Sequence, residues 1–199
     1  ARLSLLRGAR PEMAGVAVPA GAEADPGYVF NLVNYLRGSG QSYEAARVFT
    51  NRPAFSRPAL DPEAFVGQLL GLAGSVGARD AADIASRTGD LFAPDTDLSA
   101  TSFTLRDRLT DLMWLGGTKA LWSNGDGRTA APLFYRYGTA AKTPLTRSKG
   151  FFWAGRAANM AGDRTGAERY WNLAAAYPDY YYGQLALSEL GRSMPAFAP

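Results

Sequence analysis

Residues 153–178 read WAGRAANMAGDRTGAERYWNLAAAYP, and the order of residue types in this stretch decides the fold. An aromatic residue, a Gly two places on and a run of small residues suit a helix packed closely against a neighbour. Gly162-Asp163 interrupts that helix, and Ala167, Tyr170, Trp171 and Ala174–Ala176 resume at helical spacing before Pro178 ends the segment. The stretch therefore predicts two helices joined by a tight turn.

The same grammar recurs towards the N-terminus. Trp114-Leu-Gly116 opens an equivalent unit, with its break at Gly125-Asp-Gly127, small residues at Ala130 and Ala131, aromatics at Phe134 and Tyr135, and Pro144 beyond. Earlier still, Asp61-Pro62-Glu63 leads to Phe65, the helix breaks at Gly74–Gly77, and Ala81, Ala82 and Ala85 precede a stop at Pro94. The first unit starts with Asp25-Pro26, an N-cap followed by Pro at the first helical position. Val29, Leu32, Val33 and Leu36 then make one apolar stripe, the Gly38-Ser-Gly40 turn ends it, and a second short helix places Tyr43, Ala46 and Phe49 on one face before Pro53. Ahead of it, residues 1–25 read as a short helix near Leu3–Arg7 and a connector over Gly15–Asp25.

Units starting near residues 28, 65, 114 and 153 are separated by 37, 49 and 39 residues. That period, with two helices in each unit, matches tetratricopeptide-like repeats. A single helix pair cannot bury its apolar faces alone, so Trp114 and Trp153 are expected to pack on the next pair, with Ala and Gly where helices approach. The expected fold is all-α, a solenoid of stacked helix pairs over residues 26–192 with a linker at 193–199. Thr143-Pro144 gives another capped helix start, and Thr165-Gly-Ala-Glu168 has capping-box spacing. The longest interval holds the polar stretch Asp95–Thr104, read as an inter-repeat loop and internal hinge; one continuous solenoid is the preferred reading, with a subdomain boundary near residues 94–103 as the alternative.

Composition narrows the chemistry. The chain has 199 residues, of which 47% are hydrophobic, enough for a continuous core. It contains neither Cys nor His, which removes disulfides, thiolate nucleophiles, Cys/His metal sites and every triad built on His. No apolar run approaches the roughly 20 residues that cross a bilayer. A charge of +3, from 21 basic and 18 acidic residues spread along the chain, is no nucleic-acid signature. The six Glu residues share no motif, and Asp25, Asp61, Asp163 and Asp179 fall at breaks and helix starts, where a carboxylate caps backbone amides. The residues offer no catalytic centre, no cofactor site and no metal site.

One segment carries a resemblance. Trp153-Ala-Gly-Arg156-Ala-Ala158, then Tyr177-Pro178, then Tyr182-Gly-Gln184-Leu-Ala186 are similar to the C-terminal end of the superhelical region of soluble lytic murein transglycosylases. The likeness is specific over residues 145–192 and holds at the level of helix pairs from about 28 to 144. It implies a periplasmic, non-catalytic module that braces a lysozyme-like catalytic domain and contacts peptidoglycan, whose glycan strands that domain cleaves without water. The catalytic Glu-Ser signature has no counterpart, since Met, Ala, Ala, Ala, Arg and Leu follow the six Glu residues in turn. The resemblance thus implies a fragment or separated module, with the catalytic domain beyond Pro199.

Two groups of side chains are candidates for contact with wall polymer or with that domain. Arg147, Lys149 and Arg156 offer cations for peptide-stem carboxylates, or ion pairs within the chain. Tyr180, Tyr181, Tyr182 and Gln184 offer stacking surfaces or a domain interface, or packing of the last helices. The repeats by themselves are equally compatible with a free-standing scaffold that binds a peptide or protein partner.

Overall fold

Six positions decide where the main helices start. Asp25, Asp61, Ser102, Asp126, Thr143 and Asp163 each accept a hydrogen bond from the amide three residues on, at 2.7 to 3.3 Å. Each satisfies one of the amides that a helix start leaves without a partner. Pro26, Pro62 and Pro144 follow three of these caps, where the missing N–H costs nothing.

The computed structural model describes residues 1–196, and ten α-helices run through them with no strand among the described residues. They are α1 (Arg2–Leu6), α2 (Pro26–Gly38), α3 (Ser42–Asn51), α4 (Pro62–Ala73), α5 (Ala78–Ser86), α6 (Phe103–Thr118), α7 (Gly127–Ala140), α8 (Pro144–Met160), α9 (Arg164–Ala175) and α10 (Tyr181–Glu189). Residues 193–196 form no helix, and residues 197–199 of the expected linker lie outside the described residues.

The helices α2 to α9 form four consecutive pairs, and α10 follows them. First helices begin at Pro26, Pro62, Phe103, Pro144 and Tyr181, spaced by 36, 41, 41 and 37 residues. This spacing is more even than the sequence suggested. Trp114 and Trp153 lie inside α6 and α8, not at their first turns, because Ser102 and Thr143 set the caps well upstream. Only part of Asp95–Thr104 is loop, since a 3-10 turn spans Leu98–Ala100 and α6 starts at Phe103.

Packing follows the chain order. Each helix from α2 to α10 packs on its sequence neighbour, and across the long α5–α6 link α6 reaches α4 as well as α5. In addition α4 touches α2, α5 touches α3 and α7, and α10 touches α8. Two apolar clusters result. Phe49, Phe65, Leu69, Leu72, Ile84, Leu109 and Met113 centre the first, and Phe134, Phe151, Phe152 and Trp171, with small Ala154, Ala157 and Ala167, centre the second.

Three local expectations are corrected. Tyr43 is 62% exposed, and Ala45 takes its place beside Ala46 and Phe49 on the buried face of α3. Thr165 is not the cap of α9: Asp163 holds that position and accepts from Gly166 N, so the Thr165–Glu168 spacing falls two residues too late. Asp179 caps nothing at α10, whose N-cap residue is Tyr180 with no side-chain bond.

Candidate functional site: an aromatic strip

The extended end of α6 builds the centre of the site. Asn124 N donates to Lys119 O across five residues, so Lys119–Ser123 is a π-helical turn continuing α6. Such turns insert an extra residue and are frequent at functional sites. Here the turn keeps Ala120 and Leu121 in the core and leaves Trp122 outside, 56% exposed.

Around Trp122 the aromatic rings form a continuous series. Its ring meets Trp114 at 6.3 Å and Trp153 at 5.1 Å, the latter edge to face at 85°. Trp153 continues to Phe152 at 5.7 Å, Phe152 to Tyr182 at 5.7 Å, and Tyr182 to Tyr181 at 5.2 Å. Every member belongs to α6, its π turn, α8 or α10. Phe152 is buried and anchors the series, Trp114, Trp153 and Tyr182 are half-buried, and Trp122 and Tyr181 are open to water. Four of these five contacts are edge to face, the arrangement that satisfies the ring quadrupoles.

A cation closes one end. Lys149 Nζ lies 3.6 Å from the centre of the Trp114 ring and 5.7 Å from that of Tyr137. No carboxylate lies within ion-pair distance of it among the described residues. Burial draws its pKa below the ordinary lysine value. The ring quadrupoles attract the ammonium in place of a counter-ion.

The candidates from the sequence separate. Tyr181, Tyr182 and Lys149 belong to the strip. Tyr180, at the margin of exposure, precedes α10, and Gln184 lies half-buried on α10. Arg147 is internal to the fold: its Nε donates to the Tyr177 hydroxyl at 2.9 Å and its Nη1 to Ala141 O at 2.9 Å, at the end of α7. Arg156 Nη1 meets Glu189 Oε1 at 2.9 Å, an exposed ion pair joining α8 to α10. These two guanidiniums are occupied by this chain's own groups.

Sequence reasoning missed Trp122 and treated Trp114 and Trp153 as packing between units. The available signal was that Trp122 directly follows the apolar Ala120-Leu121 step, where a regular helix has no reason to place a second large apolar residue on the outer face. Among the described residues no helix is long and apolar enough to cross a membrane, and no group of three or more His, Cys, Asp or Glu residues is placed to hold a metal. No protein-family model, curated protein or solved structure matches the chain.

Proposed function

We propose that the chain is a non-catalytic, superhelical module of stacked helix pairs that contacts the glycan strands of peptidoglycan, in the manner of the arm of a periplasmic lytic transglycosylase, and braces a catalytic domain. The observation that carries this reading is the strip from Trp114 through Trp122 and Trp153 to Tyr181, with two of its rings open to water. A pyranose ring has C–H faces and hydroxyl edges, so a flat aromatic face buries the former and leaves the latter hydrated. Lys149 at the Trp114 end adds a cation beside which a muropeptide carboxylate gains charge-assisted contact. The even spacing of the first helices supports the stacked arrangement.

The test is co-sedimentation with purified sacculi together with calorimetric titration of chitotetraose. Binding of both is expected, and Trp122→Ala should weaken it about tenfold, equivalent to about 1.4 kcal/mol. Tyr135→Ala is the control, because Tyr135 is an exposed aromatic on α7 that packs with Phe151 and Tyr170, outside the strip. Absence of any glycan binding, or equal losses from both substitutions, would overturn the reading and favour a scaffold for a protein partner.

A further inference from the structure

A surface cavity of about 640 Å³ shares no residue with the aromatic strip. Its walls come from the α3–α4 link, the 3-10 turn and loop after α5, and Arg136 of α7. Phe55, Pro58, Phe92 and Leu98 make the wall mostly apolar.

Arg136 is the anomaly. It is half-buried, and of the five N–H donors of a guanidinium only one is engaged, Nη1 donating to Thr88 Oγ1 at 3.1 Å. No carboxylate lies within 4.0 Å of it among the described residues. The nearest acid to act on it, Asp90, is already committed: Arg52 Nη1 and Nη2 reach its two oxygens at 2.8 Å each, and Phe55 N donates to it at 2.9 Å. The other arginine in the wall, Arg57, is paired with Asp25 at 2.7 Å. Asp95 stands exposed at the rim, where water screens its charge. Burial lowers the Arg136 pKa and Asp90 offsets part of the effect, so a cation is held at a desolvation cost with no counter-charge of its own.

We propose that this cavity binds a small organic oxyanion, a carboxylate or phosphate on an apolar body, with the free donors of Arg136 holding the anion. A guanidinium takes either oxyanion through two parallel hydrogen bonds, and Phe55, Phe92 and Leu98 cover the apolar part. The ligand replaces the missing counter-charge.

The test uses the full chain and three probes of similar shape: phenylacetate, phenyl phosphate and the neutral phenylacetamide. Saturable calorimetric heat and a rise in melting temperature are expected with at least one anion, and preference between the first two identifies the carboxylate or the phosphate as the natural head group. The amide should bind at least tenfold more weakly, a comparison that needs no variant. Arg136→Gln, checked for native helicity by circular dichroism, should weaken the preferred anion at least tenfold. Equal binding of the amide, full affinity in Arg136→Gln, or no heat from either anion at about 20 mM, a concentration that reveals millimolar affinity, would overturn the proposal.

Discussion

The Lys149 ammonium rests 3.6 Å from the centre of the Trp114 ring, joining α8 to α6 without a counter-ion. Burial lowers its pKa, so between that lowered value and the ordinary 10.5 the unfolded chain binds more protons than the folded one. Stability contributed by this group therefore rises with pH across that window and is flat at neutral pH. Thermal melts of the native chain and Lys149→Met between pH 8 and 10.5 should converge in the native chain's favour as pH rises. A difference that stays constant with pH would show that the ring contact cancels the desolvation.

Gly150 and Gly138 bring α8 and α7 together backbone to backbone. A Cβ on Gly150 would lie 2.5 Å from Gly138 N and 2.8 Å from Phe134 O, and neither backbone atom can rotate away. Gly150→Ala should destabilise by about 3 kcal/mol, read from urea midpoints. Gly38, at the last turn of α2, has nothing within 4 Å of a built Cβ and no left-handed backbone angle. Gly38→Ala should stabilise by about 0.5 kcal/mol through the unfolded chain. Opposite signs from the same substitution separate packing from propensity.

Asp90 is an acid-sensitive group. Burial pushes its pKa up, but the hydrogen bonds from Arg52 and Phe55 N and the Arg52 charge outweigh it and hold the carboxyl below 3.8. Its contribution is thus present above the unfolded value and lost as pH falls through the folded one. Arg52 is 1% exposed at its side chain and lies over the Phe55 ring at 3.4 Å, so removing Asp90 strands a buried cation. Asp90→Ala should cost about 3 kcal/mol at pH 7, and the gap to the native chain should narrow below pH 4.

Legibility in the sequence followed the range of the interaction. Caps and turns act over three residues, so Asp25, Asp61 and Thr143 and the Gly40 and Gly162 stops were readable, and the helical class with them. At Gly162 the amide of Asp163 reaches Ala158 O and that of Gly162 reaches Asn159 O, a pattern that needs only local chain. Unit starts were misplaced where an aromatic residue was taken as the first turn, because Trp114 and Trp153 mark packing depth and Ser102 and Thr143 mark the caps. The strip depends on which outer faces meet. Its central residue, Trp122, is turned out by a π turn that no periodicity of 3.6 anticipates. Arg136 was illegible for a related reason: its neighbours Thr88 and Asp90 are 48 and 46 residues away in the chain.

Arg147 was a candidate for wall contact, and its bonds predict a structural role instead. Its Nε donates to the Tyr177 hydroxyl and its Nη1 to Ala141 O, so one guanidinium ties the end of α7 to the loop between α9 and α10. Phe151 underlies it at 5.5 Å. Tyr177→Phe removes one charge-assisted acceptor and should cost about 1.5 kcal/mol. Arg147→Met leaves both Tyr177 and the Ala141 carbonyl without their donor and should cost about 2 to 3 kcal/mol. The double variant should cost less than the sum by about 1 kcal/mol, since the two share one bond. Chitotetraose affinity should be unchanged in Tyr177→Phe, because the hydroxyl it removes is committed to Arg147 and Tyr177 stands outside the strip. A loss of glycan affinity in that variant at full helicity would return Arg147 and Tyr177 to the binding surface.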